Sequence, residues 1–141
     1  MTEHVLHASC VDVSGRGVLV TGASASGKSA LCLQLLALGA KLVADDRVKI
    51  NMLDSDLVAS APATIKGLVE ARCVGILRAE TAVLTTLSLV VDMDKTEKDR
   101  LPACHWYEIG ETRLPCLYRV DGPHFAASVF QMLRHGRHSP C

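Results

Sequence analysis

Residues 22–29 run Gly22, Ala23, Ser24, Ala25, Ser26, Gly27, Lys28, Ser29 and fit the spacing G-x-x-x-x-G-K-[ST]. Glycines at such positions let the backbone curl until successive N–H groups face one anion, with no Cβ in the way. A helix beginning near Lys28 adds unpaired N–H groups and the positive end of its dipole, worth about 0.3–2 kcal/mol toward a phosphate. Lys28 has the reach for β and γ phosphates, and the Ser29 hydroxyl is placed to ligate Mg²⁺. An ordinary glycine turn opening a helix is the plainer alternative. At average glycine usage the four fixed positions match by chance in about one chain in a few hundred, so a nucleotide-phosphate site is the better reading. Binding alone names no reaction.

Other residues have the types that a reaction would need. Asp45 and Asp46 follow an apolar run directly, and two adjacent carboxylates can divide the work: one activates an acceptor hydroxyl, the other supports a metal through water. A solvated turn is the alternative. Glu70 and Arg72 could be a metal-directed carboxylate and a phosphate-directed guanidinium, or a surface pair. Arg100, in a charged segment, could neutralise a transferring phosphoryl group, or simply solubilise the loop. His7 precedes the phosphate-loop strand, and a lone histidine is more often structural. The spacing of the remaining histidines forms no metal-site pattern.

The elements that must position these residues follow from periodicity. Residues 17–21 (GVLVT) predict a strand buried on both faces. Residues 28–38 predict a helix with Leu31, Leu35 and Leu38 on one face, stopped by Gly39 in a left-handed cap. Residues 41–44 (KLVA) predict a second buried strand, completing a βαβ-like unit with its loop at the strand's C-terminal end. Residues 47–51 and 57–59 read as a hairpin around MLDSD, and 86–94 as a strand followed by a charged loop over 95–102. Residues 61–77 resist assignment. A helix is expected over 125–135, ended by Gly136, with a disordered tail over 137–141.

The chain has 141 residues, 49% of them hydrophobic, and a formal net charge of zero. That suffices for one α/β domain with a core, and it lacks the basic footprint of a nucleic-acid binder. None of the six cysteines forms a C-x-x-C pair. The N-terminal residues lack a signal-peptide pattern, and no apolar run reaches the ~18 residues of a membrane span. A cytoplasmic protein with reduced thiols, no nucleic-acid partner and no membrane association is expected.

Taken in order, the histidine ahead of the loop strand, GASASGKS (22–29), LVADDRV (42–48), LVEARCVGIL (68–77) and DRL (99–101) resemble the HPr kinase/phosphorylase family of bacterial serine kinases acting on the phosphocarrier protein HPr. The likeness is strongest over 6–46 and 68–77. It implies a single P-loop domain of the phosphoenolpyruvate-carboxykinase-like α/β fold over 1–136, in a short form with the catalytic domain only. It implies ATP and Mg²⁺ as cofactors, HPr as partner, and phosphate or pyrophosphate as co-substrates if reversal by phosphorolysis is kept. It also implies residue roles: His7 as the catalytic histidine, Lys28 on the transferring phosphate, Asp45 as the base with Asp46 supporting it, Ser29 and Glu70 on Mg²⁺, and Arg100 in a catalytic loop. A homo-oligomer, hexameric in longer members, is a further implication.

Three positions depart from the family pattern. Ala25 stands where a glycine is usual in the loop, Cys73 follows Arg72 where the signature has Arg-Gly, and Arg78 replaces an acidic residue. Alanine at 25 is harmless if its φ is negative and costs on the order of 1 kcal/mol or more otherwise. The segment tied to dephosphorylation is only loosely recognisable over 114–122, so kinase activity is the firmer expectation. A P-loop kinase or phosphatase of a small molecule, and a non-catalytic nucleotide sensor, are the rival readings.

Overall fold

Residues 8–13, 17–21, 42–44 and 89–93 are buried almost without a break, so the central strands bury both faces, and the fold is a sheet with a core on either side. The computed structural model describes residues 3–62 and 67–138. Among them the chain runs β1 (Glu3–Leu6), β2 (Ala8–Val13), β3 (Arg16–Thr21), α1 (Lys28–Leu38), β4 (Lys41–Ala44), β5 (Val48–Leu53), β6 (Asp56–Ser60), β7 (Leu68–Ala71), β8 (Gly75–Arg78), β9 (Leu84–Thr96), β10 (His105–Ile109), β11 (Thr112–Arg119) and α2 (Phe125–His135). Nine strands form one mixed sheet in the order β1-β5-β6-β9-β3-β2-β4, with β11 pairing β9 and β10 pairing β11; β7 and β8 form a separate hairpin. No helix among the described residues is long and apolar enough to cross a membrane.

The long strand β9 organises the sheet. It runs parallel to β3, with Thr21 opposite Asp92, and parallel to β11, while β6 pairs antiparallel with its first residues. Val18 and Val20 of β3 with Leu89, Val91 and Met93 of β9 face one way, toward Leu31, Cys32 and Leu35 of α1 and Phe125, Val129 and Leu133 of α2. Leu19 and Val90 face the other way, toward Val48, Ile50, Leu57, Ile109 and Cys116. Both helices therefore lie on one face of the sheet.

The helix at 28–38 forms as expected and ends where expected. Gly39 has φ 119, its N–H donates to Leu36 O, and the Ala40 N–H donates to Leu35 O, which satisfies the last carbonyls in a Schellman arrangement. Its buried face is Leu31, Cys32 and Leu35 rather than the expected stripe through Leu38, which is 46% exposed. The helix at 125–135 is also as expected.

Other expectations need correction. The βαβ-like unit is interrupted: β3 and β4 are not neighbours, because β2 lies between them, antiparallel to both. The hairpin is tighter than expected, with strands reaching Leu53 and Asp56 and a two-residue turn at Asp54 and Ser55, both at positive φ (50 and 73). β9 continues to Thr96, two residues into the expected charged loop. Residues 68–78, unassigned from sequence, form the β7–β8 hairpin, and Ala63 to Lys66 of the same stretch fall outside the described residues. So do 139–141 of the expected disordered tail. Cys10, Cys32, Cys73 and Cys116 are free thiols, whereas Cys104 is disulfide-bonded, against the expectation of an all-reduced set.

Candidate functional site

The turn between β3 and α1 carries the phosphate-loop residues. Gly22 sits at φ 144, and a Cβ there would lie 2.6 Å from Ser26 Oγ, so the tight curl requires glycine. Ala25 has φ 66, the strained case of the two considered, and Cys73 at the tip of the β7–β8 hairpin has the same φ of 66. Both departures from the family pattern thus place a Cβ in a left-handed conformation. α1 has no side-chain cap at its N-terminus, which leaves first-turn N–H groups available to an anion. Lys28 is only 6% exposed. Its ammonium donates to Gly22 O at 2.7 Å and Ala23 O at 3.0 Å, folded over the loop.

Asp45 and Asp46 follow β4, and their carboxylates part company. Asp45 turns inward: Oδ1 accepts from the hydroxyls of Ser9 (2.8 Å) and Ser29 (3.0 Å), and Oδ2 accepts from the Glu70 N–H (3.1 Å). One carboxylate thereby joins β2, the first turn of α1 and β7. Asp46, at φ 69, turns outward and pairs with His7 Nε2 at 2.6 Å, with the two side chains 71% and 54% exposed. Its N–H donates to Ser9 Oγ at 3.1 Å. A cavity of about 600 Å³ opens here, lined by Lys28, Ser29, Asp45, Asp46, Glu70 and Arg72 together with loop residues.

Of the residues singled out from sequence, the loop, both aspartates, Glu70 and Arg72 are brought to this cavity. His7 reaches it through Asp46. Arg100 is exposed in the segment after β9 and does not line the cavity, although β9 ends at the same sheet edge as β3.

Three residues escaped sequence reasoning. Ser9 is fully buried and lies on the helix side of β2, where alternation with Val11 and Val13 puts it. It donates to Asp45 and accepts from the Asp46 backbone, so it sets both carboxylates. A hydroxyl inside an otherwise apolar strand was its only signal. Asp92 and Asp94 close the apolar stretch of β9, and Asp94 Oδ1 accepts the Ala23 N–H at 2.9 Å. Two carboxylates ending an apolar strand near a phosphate loop were legible as a signal once the strands were known to be parallel.

Burial makes two of the thiols, Cys32 and Cys116, poor nucleophiles. Burial, and then the charge of Asp45, push the Cys32 thiol up, against the opposing effects of the Ser9 hydrogen bond and the Lys28 charge. Burial, and then the Asp92 charge, push Cys116 up to about 11. Just past the end of β9, burial alone would raise the Glu97 carboxyl. Hydrogen bonds from His105 (2.7 Å) and from the Asp99 and Lys98 N–H groups outweigh it and hold Glu97 below the usual value of 4.5.

The donor set fits a magnesium–nucleotide complex. Mg²⁺ takes hard oxygen ligands, usually one or two carboxylates beside substrate phosphates and several waters. Ser29, Asp45 and Glu70 supply a hydroxyl and two carboxylates at the mouth of the loop. No group of three or more acidic, histidine or cysteine side chains forms a metal cage among the described residues. A dedicated all-protein cage is not what phosphate-borne Mg²⁺ requires.

A family model described as the HPr Serine kinase C-terminal domain matches residues 1–103. An HPr kinase/phosphorylase of Geobacillus kaustophilus is 45% identical over 103 residues, covering 67% of this chain and 33% of that protein. One of Clostridium perfringens is 38% identical over 109 residues, covering 77% of this chain and 34% of that protein. The chain thus spans about a third of the length of the curated relatives it matches. Among solved structures, the Hpr(Ser) kinase/phosphatase from Coxiella burnetii superposes with a TM-score of 0.78 over 93% of this chain and 88% of that one, at 21% identity, a likeness of fold.

Proposed function

The chain belongs to the HPr serine kinase C-terminal domain family, and from that premise we propose that it transfers the γ-phosphoryl group of ATP to a serine hydroxyl of HPr. The observation that carries the reading is the Asp45 carboxylate, held by Ser9, Ser29 and the Glu70 N–H beside the phosphate loop. Residues 22–29 would cradle the phosphates. Lys28 would leave the loop carbonyls for the β and γ oxygens, trading two neutral acceptors for charged ones. Ser29 and Glu70 would hold Mg²⁺, which supplies charge neutralisation on the phosphates when bound. Asp45 would take the proton from the acceptor hydroxyl, and Arg100, from its exposed segment, would offset charge on the group in transfer.

The acceptor side supports a protein substrate over a small molecule. His7 and Asp46 are each more than half exposed, an open face rather than an enclosing pocket. Retention of the acid pair and of His7 counts against a non-catalytic sensor, which needs no acceptor base. Reversal by phosphorolysis, a homo-oligomer and a cytoplasmic setting are consistent extensions of the family reading.

A second assignment of the base rests on the short His7–Asp46 contact: an exposed carboxylate paired with imidazole at 2.6 Å could serve the incoming hydroxyl, leaving Asp45 to the metal. Asp45→Asn and Asp46→Asn separate the two. If Asp45 is the base, Asp45→Asn lowers turnover by about 10²–10⁴ with nucleotide affinity kept. If Asp45 serves the metal, Mg²⁺–nucleotide affinity falls with it, and Asp46→Asn shows the pure turnover defect.

A further inference from the structure

The first peptide unit of the phosphate loop, between Gly22 and Ala23, is gripped at both ends. Its carbonyl oxygen accepts from Lys28 Nζ at 2.7 Å, and its N–H donates to Asp94 Oδ1 at 2.9 Å. Asp94 is itself placed by β9: its N–H donates to Asp92 Oδ1 at 3.0 Å, and Asp92 lies opposite Thr21 in the parallel register with β3. Nothing in the chemistry of phosphate binding explains this contact directly. Asp94 does not line the cavity that holds Ser29, Asp45 and Glu70, and a carboxylate with no metal to serve repels a phosphate ligand, so its presence needs another purpose.

That purpose follows from what Lys28 must do. Under the nucleotide-binding reading, on which this inference rests, Lys28 gives up Gly22 O and Ala23 O when phosphates arrive. The Gly22–Ala23 peptide then loses its carbonyl partner on the lysine. Gly22, at φ 144 and without a Cβ, offers little resistance to a peptide flip. A flip would reverse the Gly22 carbonyl and the Ala23 N–H and carry the following loop amides off the anion. The Asp94 bond is independent of Lys28 and stays in place.

We propose that Asp94 is a positioning residue: its carboxylate fixes the orientation of the Gly22–Ala23 peptide and so keeps the loop amides converged while Lys28 is engaged with phosphate. The required property is an acceptor oxygen at that point; the negative charge is incidental. A metal-binding Asp94 would need the charge instead.

Asp94→Ala and Asp94→Asn distinguish these, read by calorimetric affinity for ADP and ATP with Mg²⁺ and with EDTA, and by hydrogen exchange of the Ala23 amide. Asp94 is exposed, so both variants should fold. The clamp predicts about tenfold weaker binding and faster Ala23 exchange in D94A, with and without metal, and recovery of both in D94N. Binding in D94A equal to that of the unaltered chain overturns it. D94N as weak as D94A, with the deficit confined to Mg²⁺, overturns it in favour of metal ligation. If the unaltered chain binds no nucleotide, the phosphate-site reading falls and the clamp's role in binding falls with it.

Discussion

Replacing Ala25 with glycine should make this protein more stable, although it removes a side-chain atom from a well-formed loop. At φ 66 the alanine Cβ crowds the following carbonyl, at a cost of about 1–2 kcal/mol. Glycine removes that cost but gives the unfolded chain more freedom, worth about 0.4–1 kcal/mol against the variant. The balance is a gain of about 0.5–1 kcal/mol. An unfolding entropy of about 2.1 cal/mol/K per residue makes each kcal/mol worth about 3 °C for a chain of this length. Thermal unfolding followed by calorimetry should therefore show Tm higher by about 2–3 °C in Ala25→Gly. Ala25→Val, which puts a β-branched side chain in the same conformation, should lower it.

The Cys73→Gly variant applies the same reasoning at the hairpin tip and should shift Tm in the same direction. An Ala25→Gly protein that melts no higher than the parent would refute the argument, since it would mean that the left-handed backbone carries no strain at that position.

Ser9→Ala should destabilise the fold by about 1–3 kcal/mol in denaturant titration, because it leaves the Asp46 N–H without its acceptor and frees one side of Asp45; it should also slow phosphoryl transfer. Glu97, held below its usual value, contributes stability that is complete above pH 4.5 and is lost as pH falls through its lower folded value. Glu97→Gln should accordingly flatten the acid limb of a urea-stability profile between pH 6 and 3. Among the four free thiols of the described residues, iodoacetamide at pH 8 should label exposed Cys73 first, while Cys116, raised to about 11, should react only on unfolding, as peptide mass mapping would show.

The phosphate loop and the helix after it were legible because each local signal agreed: an apolar run, glycines at fixed offsets, Leu31 and Leu35 on one face, and Gly39 at the stop. The pair Asp45–Asp46 was legible as chemistry, but not that adjacent carboxylates would face opposite ways, since that depends on the positive φ of Asp46 and on Ser9 bonding both residues. The insertion of β2 between β3 and β4 could not be read from the helical and strand periods, because antiparallel pairing is a long-range choice. The β7–β8 hairpin was obscured by Arg72-Cys73, where turn chemistry calls for glycine and the chain accepts strain instead. Asp94 went unnoticed because its role depends on the register of β9 against β3.

The most direct test of the account is to incubate this chain with HPr, ATP and Mg²⁺ and to read the intact mass of HPr, beside an HPr variant whose acceptor serine is alanine. The account predicts one added phosphate on HPr and none on the variant. No transfer to HPr by a chain that still binds nucleotide would contradict it and would place the phosphoryl acceptor elsewhere.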